Sequence, residues 1–173
     1  MKREIPIWDY AGQILEAVGK GVLLTTKADG KVNTMTIGWG TMGIEWGIPM
    51  FTAFVRKSRY TMELLESNPE FTINIPYGEV DKQILAICGT KSGRDVDKIQ
   101  ELGLTLEEPL TGSVPAIRQL PLTLECKVIY KQDQDPAAID PVCDDRYYTK
   151  GTPKEGDYHT AYYGQITAAY IVE

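Results

Sequence analysis

Histidine and cysteine, the residues that bind zinc or form disulfides, are scarce in this sequence. It contains one histidine, His159, and three cysteines among 173 residues. Cys88, Cys126 and Cys143 are widely spaced and include no C-x-x-C pair, so the pattern predicts neither a disulfide framework nor a thiolate metal site. One histidine does not complete a zinc site with them. We therefore expect no metal.

The sequence also lacks an apolar run long enough to cross a bilayer, and its N-terminal residues show no signal-peptide pattern. We expect a cytoplasmic protein that does not associate with membranes. Its 18 basic and 24 acidic residues give a net charge of −6, which argues against nucleic-acid binding because such modules carry a basic face. The length and the 43% hydrophobic content fit a single domain over residues 1–173. Local basic clusters then suggest a small anion as ligand.

A first basic cluster is formed by Arg56, Lys57 and Arg59, which surround Ser58 where an extended run gives way to a helical pattern. The first turn of a helix has backbone N–H groups without partners and a partial positive charge, so such a junction favours a phosphate. Ser58 is the expected N-cap, and Thr61 lies three residues further on. The alternative is a basic surface turn before an ordinary capped helix.

Lys91, Arg94 and Lys98 form a second basic cluster, partly offset by Asp95 and Asp97. The run 92–95 has the S-x-x-D spacing of a capping box, which predicts that a short helix begins there and continues to residue 102. A helix start beside three cations again favours an anion. A solvated helix start is the alternative.

Periodicity of apolar residues predicts an antiparallel sheet. The Asp29-Gly30 turn predicts a hairpin of residues 22–27 and 31–37. Phe71, Ile73 and Ile75 alternate with polar residues, which indicates a half-buried strand over 71–75. Further strands are expected over 50–55, 120–131 and 160–172, with short helices over 13–18, 60–67, 80–87, 94–102 and 140–148. So many strands joined by tight turns favour a closed sheet, because closure removes exposed strand edges.

Six segments, in their order and combination, resemble the flavin reductase-like, FMN-binding split-barrel family, and in particular its flavoredoxin branch. They are residues 33–39, 56–61, 70–76, 92–98, 124–128 and 159–164. The resemblance spans about residues 20–172. It implies a mainly β fold with short helices, built as an antiparallel Greek-key split β-barrel.

The resemblance implies an FMN site at these segments, in which the backbone of residues 36–39 runs along the isoalloxazine edge and the basic clusters hold the phosphate. Core packing is the alternative for Trp39, and core packing is the favoured interpretation for Trp46. The expected cofactor-binding residues are Asn33, Met35, Thr36, Ile37, Gly38, Trp39, Arg56, Lys57, Ser58, Arg59, Thr61, Lys91, Ser92, Gly93, Asp97 and Lys98.

His159 is the candidate catalytic residue, because the resemblance places it near the flavin or the nicotinamide pocket. A structural role is the alternative for a lone histidine. Either Tyr162 or Tyr163 is a further candidate contact, since strand alternation allows only one of them to face the site. The resemblance also implies a homodimer that shares its flavin sites between chains, with Trp46 and residues 132–157 as candidates for burial at the interface.

The expected function is that of an FMN-dependent oxidoreductase, in which the flavin supplies the chemistry. The sequence has no G-x-S-x-G, H-E-x-x-H, Walker or Rossmann motif, which fits a protein that needs no nucleophile of its own. NAD(P)H-dependent flavin reduction and flavoredoxin-like electron transfer to a redox protein partner both remain open. The alternative is a non-enzymatic flavin-binding or ligand-sensing domain.

Overall fold

The computed structural model describes residues 1–173. Its strands are β1 (Lys2–Glu4), β2 (Val22–Ala28), β3 (Lys31–Ile37), β4 (Gly40–Glu45), β5 (Ile48–Arg56), β6 (Glu70–Ile75), β7 (Leu106–Glu107), β8 (Ala116–Ile117), β9 (Leu122–Asp133) and β10 (His159–Val172). Its helices are α1 (Ile7–Lys20), α2 (Tyr60–Ser67), α3 (Lys82–Thr90), α4 (Lys98–Glu101) and α5 (Pro141–Tyr147), and a 3-10 turn (Pro136–Ala138) precedes α5.

Eight strands form one antiparallel sheet in the order β3-β2-β6-β9-β10-β5-β4, with β1 paired to the end of β10. This confirms the expected mainly β, antiparallel fold. The hydrogen-bond ladder does not close, however, because β3 and β4 are not paired. Only Gly38 and Trp39 connect these two strands, and they carry the chain from one half of the sheet to the other. The split in the barrel therefore lies at this connection.

The β2–β3 hairpin forms as its turn sequence predicts. The two strands pair from Val22 opposite Ile37 to Ala28 opposite Lys31. Asp29 and Gly30 have φ values of 49° and 76°, the left-handed conformation that a two-residue hairpin turn requires and that the Asp-Gly pair tolerates. The register of β3, which carries several expected site residues, follows from this turn.

The main core lies between the two halves of the sheet and is closed by α1. Ile14 and Val18, one helical turn apart, pack with Val22, Leu24 and the apolar faces of β5, β6 and β9. Helix α1 is longer than the predicted 13–18 because its first two turns also pack on this core through Ile7 and Tyr10. Cys126 belongs to the same core.

The prediction of a half-buried β6 is wrong, because Thr72 and Asn74 are as buried as the apolar residues of the strand. Residues 103–121 cover the outer face of the sheet, where Thr72 Oγ1 donates to Pro115 O at 2.9 Å and Thr25 Oγ1 donates to Asn74 Oδ1 at 2.8 Å. Hydrogen bonds inside the protein thus replace water on a polar strand face.

The edge strand β4 was not predicted, because its Gly-rich sequence lacks alternation. Helix α3 begins after Asp81, whose carboxylate accepts a hydrogen bond from Gln83 N at 2.8 Å. Helix α5 matches the predicted 140–148 segment, with Asp140 as N-cap. None of the helices combines the length and the apolar character that a membrane-spanning helix needs.

Candidate functional site

Two chain crossings between the halves of the sheet meet at one cleft. The first is Gly38–Trp39, between β3 and β4. The other crossing is formed by residues 56–59, here called the first basic loop, which lead from β5 to α2 and so to the opposite half of the sheet. The second basic loop, residues 91–98, follows α3 and packs beside β3. The topology thus places the two basic loops of the sequence next to each other.

A cavity of about 130 Å³ lies between these loops. It brings together most of the residues expected to hold a phosphate, although they come from three separate parts of the chain. The expected residues that line it are Asn33, Met35, Thr36, Ser58, Arg59, Thr61, Lys91, Ser92, Gly93 and Lys98. Lys57 and Asp97 do not line it.

Lys98 is a buried cation in this cavity. The residue is only 3% exposed. Its Nζ donates a hydrogen bond to Lys91 O at 3.2 Å and forms no ion pair. Burial, and more weakly the charge of Arg59, lower the pKa of the Lys98 ammonium. A buried charge without an opposite charge is costly. An anion in the cavity would compensate Lys98, so the residues present fit a phosphate group.

The first basic loop contributes one free cation, Arg59, which makes no side-chain hydrogen bond and lines the cavity. Its neighbours are already engaged. Arg56 donates through Nη1 to Asp157 O at 2.8 Å and through Nη2 to Tyr147 O at 3.1 Å. Lys57 forms an ion pair of 2.6 Å with Asp133 on the other side of the loop. Of the three cations, only Arg59 has a side chain without a hydrogen bond or ion pair inside the protein.

The second basic loop is engaged in a similar way. Lys91 is ion-paired with Glu101, and Arg94 is ion-paired with Glu63 of α2. Arg94 Nη1 also donates to Ser58 O at 3.0 Å, so this guanidinium joins the two basic loops. Lys98 is the one cation of this loop without a carboxylate partner.

Both predicted capping patterns are wrong. Arg59, not Ser58, occupies the N-cap position of α2, because Asp157 binds the Ser58 N–H and hydroxyl. Ser92 accepts a hydrogen bond from Arg94 N within a turn instead of starting a helix. Helix α4 begins later, where Asp97 Oδ1 accepts from Gln100 N at 3.1 Å. The turn at Ser92 leaves Gly93 against β3.

Gly93 approaches β3 so closely that no side chain fits there. A Cβ atom on Gly93 would overlap the side-chain amide of Asn33 and approach the ring of Tyr60 to 2.9 Å. Asn33 Nδ2 donates to Thr61 Oγ1 at 3.1 Å. These contacts hold β3, α2 and the second basic loop together around the cavity.

A second cavity of about 170 Å³ continues from the first, since Met35, Thr36 and Arg59 line both. Its other walls are the end of β3, the β3–β4 crossing, β5 and the start of β10. These walls are formed by Ile37, Gly38, Trp39, Phe54, Arg56 and His159. The expected ring-binding segment 36–39 and most of the expected phosphate residues therefore share one continuous cleft.

His159 is buried in this second cavity, and its hydrogen bonds assign its tautomer. The backbone N–H of His159 donates to Gln134 Oε1 at 3.0 Å, and the Tyr148 hydroxyl donates to the same atom at 2.7 Å. Because the Tyr148 hydroxyl proton is used in the bond to Gln134, Tyr148 Oη accepts a hydrogen bond from His159 Nδ1 at 2.6 Å. The lone pair of the imidazole is then on Nε2. Burial, and next the charge of Arg56, lower the pKa of His159 to about 4, so the ring is neutral at pH 7.

Trp39 forms a partly open aromatic wall of the cleft. Its indole meets the Tyr147 ring edge-on at a centroid distance of 4.8 Å and lies 4.7 Å from the His159 ring. The residue is 37% exposed, so Trp39 is not a core residue. Trp46 is 61% exposed, and the favoured core interpretation for Trp46 is wrong because it lies in the tight β4–β5 turn with φ 51°.

The sequence of this chain matches a known protein family over most of its length. The family model described as flavin reductase like domain matches residues 17–173. The chain belongs to this family. The uncharacterized protein YddH of Escherichia coli is 31% identical over 132 residues, which cover 75% of this chain and 69% of YddH. An uncharacterized protein of Archaeoglobus fulgidus is 32% identical over 99 residues, 57% of this chain. The match spans only about half of that relative, 55% of its length.

Solved structures of flavin proteins have the same fold. The flavoredoxin from Methanosarcina acetivorans superposes with a TM-score of 0.67 at 28% identity, over 88% of this chain and 68% of the flavoredoxin. The FMN-binding domain of a flavin reductases-like enzyme from Shewanella baltica OS155 gives a TM-score of 0.65 at 17% identity, over 99% of this chain and 77% of that one. This family member therefore has the split-barrel fold of the flavin reductase-like proteins.

Neither tyrosine of the expected pair lines the cleft of this family member. Tyr162 is 1% exposed in the main core, where its hydroxyl donates to Glu66 Oε1 at 2.9 Å. Tyr163 packs against Tyr130 with ring centroids 5.0 Å apart on the outside of the sheet. Tyr163 is on the same strand face as His159, but four residues of extended chain, roughly 13 Å, separate them.

Several residues of the site had no sequence signal. Phe54 lines the cleft, Asp157 holds Ser58, and Gln134 with Tyr148 orients His159. The last three belong to the segment 134–158, whose sequence is rich in Asp, Pro and Gly and carries no regular pattern. Their contacts are to residues far away in the chain, so no local motif predicts them.

Proposed function

We propose that this protein is an FMN-dependent oxidoreductase. The observation that carries the proposal is the position of Lys98 and Arg59, two cations without carboxylate partners that line the first cavity, at one end of the cleft whose other end is lined by residues 36–39. A buried ammonium and a free guanidinium suit a phosphate, because charge-assisted hydrogen bonds to phosphate are strong in a site shielded from water. Membership of the flavin reductase like family supports a flavin as the group attached to that phosphate.

The residues around the cleft divide into two roles. Lys98, Arg59 and the backbone of the second basic loop would hold the phosphate, while the crossing Gly38–Trp39 and His159 would face the ring system. When bound, the flavin supplies hydride and electron transfer. His159, neutral and with its Nε2 lone pair free, serves as a hydrogen-bond acceptor and not as an acid at neutral pH. Trp39 shields this end of the cleft from water.

The electron donor separates the two forms of this proposal. Either NADH or NADPH reduces the flavin directly, or a redox protein does so and the protein acts as an electron carrier, as the similarity to a flavoredoxin suggests. A flavin-binding or ligand-sensing domain without turnover is the competing function. The three differ in the fate of the bound flavin when a pyridine nucleotide is added.

The decisive experiment is an anaerobic titration of the purified protein followed by its visible spectrum. We expect a yellow protein whose released cofactor has the mass of FMN. Bleaching by NADH or NADPH supports the reductase, and bleaching by a chemical reductant alone, with rapid transfer to a redox protein, supports the carrier. A protein that neither contains nor binds added FMN refutes the proposal, and FAD as the released cofactor refutes its choice of flavin.

We also propose a homodimer. Trp46 on the β4–β5 turn, Tyr130 on β9 and Tyr163 on β10 form an aromatic cluster, with ring centroids 6.1 Å apart for Trp46 and Tyr130 and 5.0 Å apart for Tyr130 and Tyr163. Trp46 is 61% exposed and Tyr130 is 42% exposed. Exposed apolar clusters of this kind mark interaction sites. Light scattering at micromolar concentration should give twice the mass of the 19.3 kDa chain, and a Trp46→Lys variant should be monomeric. A monomeric wild-type protein that binds FMN contradicts this proposal alone.

A further inference from the structure

Asp157 holds the first basic loop from a distant part of the chain. One carboxylate oxygen accepts from the Ser58 backbone N–H at 2.9 Å, and the other accepts from the Ser58 hydroxyl at 2.7 Å. The carboxylate forms no ion pair, although Arg56, Lys57 and Arg59 are all nearby in sequence to Ser58. Its two oxygens are thus used to fix one serine and not to neutralise a cation.

The surrounding contacts make this a continuous attachment. Arg56 Nη1 donates to Asp157 O at 2.8 Å, and Lys57 N donates to Tyr158 O at 3.1 Å. With the two bonds to Ser58, three consecutive residues of the loop are tied to residues 157 and 158. Ser58 is directed toward Asp157, and the next residue, Arg59, is the N-cap of α2, with a free side chain that lines both cavities.

We propose that Asp157 is a positioning residue of the cofactor site: it fixes the first basic loop so that Arg59, and not Ser58, faces the phosphate. This inference rests on the proposed function. An arginine on a free loop loses conformational freedom when it binds, whereas one on a fixed loop has lost part of that freedom already, so the attachment raises affinity by preorganisation. Ser58, whose N–H and hydroxyl are both occupied, is then not a phosphate ligand.

Three variants separate positioning from charge. Asp157→Ala removes both acceptors and should weaken FMN binding roughly tenfold while leaving riboflavin, which has no phosphate, nearly unaffected. Asp157→Asn keeps an acceptor for the Ser58 N–H and offers a donor to its hydroxyl. Because it also removes a negative charge near the phosphate, its FMN affinity should equal or slightly exceed that of the wild type. Asp140→Ala, which removes the N-cap of α5 in the same segment, is the matched control and should leave the affinity unchanged.

A double-variant cycle tests whether Asp157 acts through Arg59. In an Arg59→Ala background, Asp157→Ala should cause no further loss of FMN affinity, because the side chain that it positions is already absent. Additive losses of FMN affinity in the double variant would overturn the proposal. It would also be overturned if Asp157→Asn, or the control Asp140→Ala, lost as much FMN affinity as Asp157→Ala. A wild-type protein that binds no FMN refutes the proposed function. A wild-type protein that binds FMN, with an unchanged ratio of FMN to riboflavin affinity in Asp157→Ala, refutes this inference alone.

Discussion

The two basic loops have similar composition but present their cations in different ways. In the first, Arg56 and Lys57 are engaged by other parts of the protein, and the remaining Arg59 is exposed. In the second, Lys91 and Arg94 are paired with carboxylates, and the remaining Lys98 is buried. An exposed guanidinium is well solvated without a ligand, whereas a buried ammonium is not. The two loops therefore differ in the burial of their unpaired cation and not in the number of charges, and an anion would stabilise the buried Lys98 more than the exposed Arg59.

The largest expected effect is that of Lys98→Met. Loss of the buried cation should weaken FMN binding by about 2–5 kcal/mol, more than thirtyfold, because truncation of a buried charged partner costs that much. The same change should leave the Tm of the cofactor-free protein unchanged or raise it, since the variant buries no unpaired charge. Titration calorimetry and thermal unfolding without FMN measure the two effects. A lower Tm with unchanged affinity would show that Lys98 is only structural.

The free energy of unfolding should depend on pH through His159, which is buried beside Arg56 of the first basic loop. His159 titrates near pH 6.5 in the unfolded chain and its pKa is about 4 in the folded protein, so the unfolded state binds more protons between these values. Stability should therefore fall as the pH drops from 6.5 to 4, by roughly 3 kcal/mol for this group. Urea unfolding at several pH values measures this loss. His159→Asn, which keeps a donor for Tyr148, should lack this component, and identical pH profiles would contradict the assignment.

Arg59→Ala should have a smaller effect than Lys98→Met. The loss of FMN affinity should be about 1.5–3 kcal/mol, ten- to more than hundredfold, as expected for a hydrogen bond to a charged group. Riboflavin affinity and the Tm of the cofactor-free protein should change little. If Arg59→Ala proves more damaging than Lys98→Met, the order that burial implies is wrong. Equal losses for FMN and riboflavin would mean that Arg59 supports the loop or contacts the ring.

The smallest effects are expected for the cations that already have partners. Lys57→Ala and Lys91→Met each remove an ion pair whose side chains are more than a third exposed, so each should change FMN affinity and stability by less than about 1 kcal/mol. They are the matched controls for Arg59→Ala and Lys98→Met within the same loops. A large loss of FMN affinity in either variant would show that these ion pairs open when the ligand binds.

Much of the fold followed from local sequence. The bounds of α2, residues 60–67, were predicted correctly because the apolar spacing and the Asn68-Pro69 stop are both local. The Asp29-Gly30 turn likewise set the register of β3. The start of α4 was predicted too early, since the S-x-x-D spacing at Ser92 supports a turn as well as a helix. At the site, the sequence indicated two basic loops but not which cation in each is free.

The family, the antiparallel strands and the two cation-rich segments can be read from the amino-acid sequence alone, because periodicity, turn residues and motif order are properties of the linear chain. The burial of Lys98, the free side chain of Arg59 and the Nε2 lone pair that His159 presents are visible in the folded protein alone. These properties depend on partners that the fold brings from far away, such as Asp157 for Ser58 and Glu63 for Arg94. The charge of a residue is written in the sequence, but its solvation and its partner are properties of the folded chain.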